Sequence, residues 1–209
     1  MKRVVNTVMS ILMFVVIFIA SQIVSSVVFS SLHLGSDIAF MLSYLLSMGL
    51  VYLFTTLYER AEYKNIRSIR KSLKGFDPSM VFMGVVLLFA ISITLWPLES
   101  YVPSDRRVFS DGVYTLITVV LISPIVEEVI FRGRLYNLLN HSTSPFFSAL
   151  LASIIFATIH LQPIIIISGF LSGMLFSYMY LLKRSIILPI ILHICNNAIA
   201  YGLHILSYA

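Results

Sequence analysis

The chain has 209 residues, of which 59% are hydrophobic and 11% charged. A soluble domain of this size carries about 25% charge, so the composition excludes a soluble enzyme and describes a polytopic membrane protein. The formal net charge of +5 reads as membrane orientation rather than nucleic-acid binding, and the single cysteine, Cys195, rules out an intramolecular disulfide.

Seven apolar runs follow in chain order, roughly Thr7–Leu32, Ile38–Tyr58, Met80–Trp96, Val113–Phe131, Phe146–Leu161, Ile164–Leu182 and Ile186–Leu206. Most are near the ~20 residues a helix needs to cross the hydrocarbon core. The third and fifth are shorter. The pattern predicts an all-α, polytopic transmembrane helix bundle of about seven helices, forming one integral-membrane domain over residues 1–209. The first run follows Lys2 and Arg3 and could be mistaken for a signal peptide. Its apolar part exceeds the ~7–15 residues usual for one, so a retained helix is expected.

With the N-terminus placed in the cytoplasm, the inner connections hold Lys2, Arg3, Arg60, Lys64, Arg67, Arg70, Lys71, Lys74, Arg132, Arg134, Lys183 and Arg184. The outer ones hold Arg106 and Arg107. Lys and Arg mark the cytoplasmic side, so the C-terminus is expected outside. Within the inner connection Glu59–Ser79, Ile66, Ile69, Leu73 and Phe76 recur at helical spacing between Arg67, Arg70, Lys71 and Lys74. This predicts an amphipathic segment over about 64–77 on an inner leaflet of anionic lipids, with a solvated basic loop as the alternative. In the sixth run, Gly169 and Gly173, interleaved with Ser168 and Ser172, have the spacing that lets two helices approach closely. Ser168 as a nucleophile has no support in the pattern.

Three polar constellations interrupt the membrane runs. In the first, Glu127 and Glu128 are the carboxylates inside a hydrophobic run, while the other seven acidic residues lie in polar connections. A carboxylate in lipid is costly, and an adjacent pair marks a functional site. Glu128 and Arg132 are four apart on one helix face, acid first, the favourable order for an ion pair. Glu127 is turned about 100° away. It has no counter-charge on its own face and is freer to take up a proton, as a general base requires. The second constellation is Phe156 with His160, and the third His193 with Asn197, each pair four apart. A lone His in a membrane helix is commonly a hydrogen-bonded packing residue. Pro189, four residues before His193, is expected to bend the last helix. Cys195 lies in apolar surroundings, where a thiol is normally inert. Polar side chains in membrane helices face the bundle interior, so the three sets are expected to converge on one cavity.

The succession Glu127-Glu128-x-x-x-Arg132, Phe156-x-x-x-His160 and His193-x-x-x-Asn197 resembles the CPBP intramembrane proteases (CAAX proteases and bacteriocin-processing enzymes, also called the Abi family). Arg132-Gly133 fits the family's Phe-Arg-Gly continuation. The motif-bearing core covers about 113–206. The resemblance implies an all-helical endopeptidase that cuts membrane-embedded or lipid-associated peptides, with a role in peptide maturation or bacteriocin self-immunity. It implies that Glu127 with His160 activates water, that His193 and Asn197 stabilise the oxyanion, and that Glu128 and Arg132 form a structural ion pair. The family is described both as metal-free glutamate proteases and as metalloproteases. No His-Glu-x-x-His is present, so no cofactor is favoured. Zinc is the alternative, with Glu127, His160 and His193 as its ligands. No nucleic-acid partner is expected, and the setting implied is a bacterial plasma membrane. A proton-coupled transporter and a non-catalytic immunity or scaffold protein are the other readings. Broken inverted repeats are not evident, and every motif residue is kept.

Depth makes a further demand. If the fourth helix stopped at Phe131, Glu127 would lie near its inner end. His160 stands about 14 residues, or ~21 Å, from the inner end of its own run. The two come level if the fourth helix continues to about Leu139, so one long helix, or one with a short break, is expected from Val113.

Overall fold

Each apolar run becomes a helix in the computed structural model, which describes residues 2–32, 35–63, 76–99, 113–160 and 163–206. The helices are α1 (Lys2–Ser30), α2 (Ser36–Tyr63), α3 (Pro78–Glu99), α4 (Val113–Leu139), α5 (Pro145–Thr158), α6 (Pro163–Lys183) and α7 (Ile187–Leu206). Among the described residues there is no strand. Five of these helices (α1 to α4 and α6) are long and apolar enough to cross a bilayer, and α5 and α7 are shorter apolar helices. The molecule is a multi-pass membrane protein built as an all-α bundle. The basic segment 64–75 expected to be amphipathic lies outside the described residues, apart from an exposed Phe76.

Local chemistry sets the helix starts. Asp77 precedes Pro78, and its Oδ1 accepts from the backbone N–H and hydroxyl of Ser79. Ser144 precedes Pro145, and its hydroxyl accepts from the Phe147 N–H. Both match the preference for an oxygen-bearing cap followed by proline. Ser185 Oγ accepts from the Ile187 N–H. Pro189 therefore falls in the first turn of α7, where backbone N–H groups have no intrahelical acceptor. It costs α7 no hydrogen bond, and the bend expected there has no cause.

The expected extension of α4 is present, and the helix runs from Val113 to Leu139. Two π turns interrupt it, Thr118–Ile122 and Phe131–Leu135. In the first, the Ser123 N–H bonds to the Thr118 carbonyl. That skips Val119, and Pro124 has no N–H to offer it. In the second, Tyr136 N–H reaches back to Phe131. The Arg132 and Gly133 carbonyls there accept from Asn137 Nδ2 at 3.3 and 2.9 Å. Side chains thus satisfy carbonyls that the wider turns release, as a membrane interior demands.

Helices α2 and α4 lie side by side in parallel. Asp37 meets Thr115, Tyr44 meets Ser123 and Glu127, and Tyr52 and Glu59 meet Arg134. The order ascends on both helices, as it must when one crossing, α3, separates them. At the end holding Arg134, Thr7 also meets Ser142, Asp77 meets Lys183, and Arg184 meets Tyr136. The last turns of α2, α4 and α6 and the start of α3 therefore share one side of the bundle with the start of α1.

Two sequence expectations are corrected here. Arg132 and Arg134 are buried within α4 rather than in an inner connection. Glu59 lies inside α2, 1% exposed, paired with Arg134 at 3.3 Å and His141 at 3.3 Å. Composition misplaces all three because they stand where polar sequence begins, although Glu128 pairs with Arg132 within α4 and Glu59 and Arg134 pair with each other across 75 positions.

Two apolar clusters enclose the middle of the bundle. Phe14, Met48, Val51, Phe131, Leu135, Tyr136, Ala152 and Phe156 join α1, α2, α4 and α5. Leu88, Leu175, Phe176, Met179, Leu188 and Leu192 join α3, α6 and α7. Gly169 and Gly173 are buried on α6, against Ala157 and against Phe156 and Ser153 of α5, the close packing expected from their spacing.

Candidate active site

The polar side chains of α4 meet those of α7 at the boundary of the two clusters. Arg132 is fully buried and donates from Nη1 to Glu128 Oε1 at 2.8 Å, with both side chains at 0% exposure. Its Nη2 donates to the Gly173 carbonyl at 2.8 Å. The guanidinium lies over the rings of Phe156, 5.0 Å from the centroid, and Phe176, at 5.5 Å. These contacts offset part of the cost of burying a charge pair, while Arg132 Nε and Glu128 Oε2 are buried with no hydrogen-bond partner among the described residues. Gly173 leaves room for the guanidinium: a Cβ there would stand 3.4 Å from Arg132 Nη2 and 3.2 Å from the Phe156 ring, so these neighbours would have to give by a few tenths of an ångström.

The ion pair also holds a histidine. His193 Nδ1 lies 3.0 Å from the same Glu128 Oε1. An ionised carboxylate only accepts, so Nδ1 carries the proton, and in a neutral ring Nε2 is then the nitrogen with the lone pair. The ring stacks on Phe176, centroids 5.0 Å apart, and meets Phe156 edge-on at 5.6 Å. Its Nε2 faces Glu127 Oε2 at 3.8 Å. That is too long for a direct hydrogen bond. Two acceptors across such a gap fit a molecule donating to both.

Glu127 is 7% exposed. The sequence gives it no counter-charge on its own helix face, and the fold supplies two hydroxyl donors. Ser123, one turn earlier, donates to Oε1, and Tyr44 of α2 donates to the same oxygen at 2.9 Å. Neither was singled out from the sequence. Ser123 could have been found from the i,i+4 rule, whereas Tyr44 is 83 positions away.

His160 follows the end of α5, and its Nδ1 donates to the Phe156 carbonyl at 2.9 Å, leaving Nε2 with a lone pair. Its ring meets Phe156 edge-on at 5.1 Å. Phe156 thus separates His160 from His193, and among the described residues no hydrogen bond or ion pair joins His160 to Glu127. Asn197 donates from Nδ2 to the Val119 carbonyl at 2.9 Å and accepts from Asn196 at 3.4 Å. Cys195 is half-buried. Glu127, Glu128, Arg132 and His193 form one connected cluster; His160 borders it through Phe156, and Asn197 fastens α7 to α4 beside it.

Among the described residues, no three His, Cys, Asp or Glu side chains are grouped to hold a metal ion. Glu127, His160 and His193 as placed do not fit an open three-ligand zinc site.

The arrangement falls within a stretch that is similar to known proteins. Residues 109–199 match the family of Rce1-like type II CAAX prenyl endopeptidases. The match contains all three motifs and bears out the resemblance they carry. Two curated bacterial relatives align with the chain. One is an uncharacterized 24.3 kDa protein of Escherichia coli, 27% identical over 121 residues, 55% of this chain and 55% of the relative. The other is YdiL of Bacillus subtilis (strain 168), whose name proposes it as a membrane peptidase. It is 31% identical over 77 residues, 37% of this chain. The chain spans 55% of the length of the first and 32% of the second. No solved structure matches the chain.

Proposed function

We propose that the protein is an intramembrane endopeptidase in which Glu127 activates a water molecule against a peptide bond. The observation that carries this reading is the 3.8 Å gap between Glu127 Oε2 and His193 Nε2 in the interior of the bundle. A water donating one proton to each acceptor turns a lone pair outward toward a carbonyl carbon. As the bond forms, Glu127 takes the proton and the carbonyl oxygen becomes an oxyanion. The negative charge shared by Glu128, and the Arg132 beneath it, keep His193 in the Nδ1–H form and hold its ring still. The proton held by Glu127 then passes to the leaving amine, directly or by way of His193 Nε2, as the C–N bond breaks and the oxyanion collapses to the carboxyl product. Asn197 keeps a second Nδ2 hydrogen beyond the one given to Val119 and is the neutral donor for the oxyanion. His160 Nε2 is the remaining base at the edge of the site and works with Glu127.

The substrates proposed are membrane-embedded or lipid-associated peptides in a bacterial plasma membrane, reached from the inner side. The bacterial relatives and the Rce1-like match support that setting. Comparing protein N-termini in membranes carrying the wild-type chain or Glu127→Gln tests the reading. New N-termini that depend on Glu127 are expected; identical sets from the two membranes would refute it.

A further inference from the structure

The three Rce1-like motifs lie on α4, α5 and α7, and the motif-free half of the chain looks like support. The contacts of Glu127 give α2 a different status. Glu127 Oε1 is approached by two hydroxyls, Tyr44 Oη at 2.9 Å and Ser123 Oγ, while the two hydroxyl oxygens are 3.0 Å from each other. A hydroxyl has one proton and an ionised carboxylate has none. Both protons therefore go to Oε1, and the Tyr44–Ser123 contact carries no hydrogen bond while Glu127 is charged. Oε1 is fully occupied. Among the described residues Oε2 has no hydroxyl partner, and it is the oxygen that faces His193 Nε2.

The geometry points to Tyr44 and Ser123 as positioning residues that hold Glu127 by Oε1 so that Oε2 alone is presented to the reacting water. The inference rests on the peptidase reading for its catalytic meaning, but the positioning itself does not. Tyr44 cannot drift from this place without moving α2. That helix is fastened to α4 further along by Arg134, whose Nη2 donates to Tyr52 Oη at 2.6 Å and whose Nη1 donates to Glu59 at 3.3 Å. Eight residues on α2 and seven on α4 separate the Tyr44–Glu127 contact from the Tyr52–Arg134 contact. The two spacings correspond to about 12 and 10 Å of rise, so the Arg134 anchor fixes the height at which Tyr44 meets Glu127. The site is thus completed by a helix that the motifs do not mark.

The test uses the full chain in lipid nanodiscs. Infrared spectra are recorded for wild type, Tyr44→Phe, Ser123→Ala and Ser123→Thr, each subtracted from its own Glu127→Gln counterpart to isolate the Glu127 carboxyl bands. Those bands should shift in Tyr44→Phe and in Ser123→Ala, and return to the wild-type position in Ser123→Thr. Unchanged bands in both hydroxyl-free variants would overturn the inference. Ser123→Ala removes one oxygen from within α4, so the test stands even if Tyr44→Phe does not fold. In membranes, the Glu127-dependent N-termini should fall on the order of tenfold or more in Tyr44→Phe, the scale of a displaced catalytic group. Shifted bands with no such N-termini from wild type would remove the peptidase reading and leave the positioning of Glu127 in place.

Discussion

Asn197 donates from Nδ2 to the main-chain carbonyl of Val119, 2.9 Å away across the interface between α7 and α4. The π turn and Pro124 together leave that carbonyl without a backbone partner, and a carbonyl in a bilayer interior cannot turn to water. Asn197→Ala should therefore destabilise the fold by about 1–3 kcal/mol, the cost of an unpaired buried acceptor. Thermal unfolding in detergent measures this. A variant as stable as wild type would mean that the contact has no structural weight and that Asn197 acts in chemistry alone.

The two adjacent acids should separate in their effects. Glu127→Gln keeps size and can still accept from Ser123 and Tyr44, so it should fold normally and lose hydrolysis. Glu128→Gln leaves Arg132 buried without its counter-charge and frees His193 to turn. A cost on the order of 3–5 kcal/mol is expected for such a broken pair. Equal stability of the two variants in a chemical unfolding series would contradict the division of labour.

Gly173→Ala probes the packing around Arg132. The new methyl would meet Phe156 at 3.2 Å, Ser153 Cβ at 3.3 Å and Arg132 Nη2 at 3.4 Å. Overpacking of this kind costs about 1–3 kcal/mol, and here it also loosens the bond to the Gly173 carbonyl. Gly169→Ala, where the nearest atom is 3.6 Å away, should be tolerated. Melting temperatures of the pair decide this, and a reversed order would show that α5 and α6 yield where the packing looks tight.

What could be read from the sequence was what depends on one helix at a time. The Glu128–Arg132 pair follows from i,i+4 spacing, and each helix from the apolar run that becomes it. What escaped depends on parallel packing of distant helices. Tyr44 reaches Glu127 and Glu59 reaches Arg134 only because α2 lies alongside α4, a relation that no local pattern encodes. The π turns escaped because a one-residue change of register leaves the hydrophobic pattern almost intact. Pro124 marks a lost N–H without saying where the released carbonyl will bond. Pro189 misled for the opposite reason: a proline four residues before His193 looks disruptive until the helix is known to start at Ile187.

Metal removal offers a separate check. Among the described residues no trio of His, Cys, Asp or Glu is grouped for a metal, so hydrolysis should survive dialysis against a strong chelator. Elemental analysis of active protein is expected to find well below one zinc per chain. About one zinc per chain, lost together with activity and restored with it, would require Glu127, His160 and His193 to close around an ion.

The side from which substrates arrive depends on orientation. Fourteen Lys and Arg are present. Two of the twelve first assigned to inner connections, Arg132 and Arg134, are buried in α4 and carry no weight as membrane anchors. Ten remain against Arg106 and Arg107, still a strong cytoplasmic bias. The start of α1, Asp77, Ser142 and Lys183 share one side of the bundle, so a single determination orients the molecule. With Cys195 replaced, cysteines at Lys64 and Ser104 give that determination in intact cells. An impermeant thiol reagent should label position 104 and spare position 64. Labelling at 64 alone would invert the protein and place the entrance to Glu127 and His193 on the outer side.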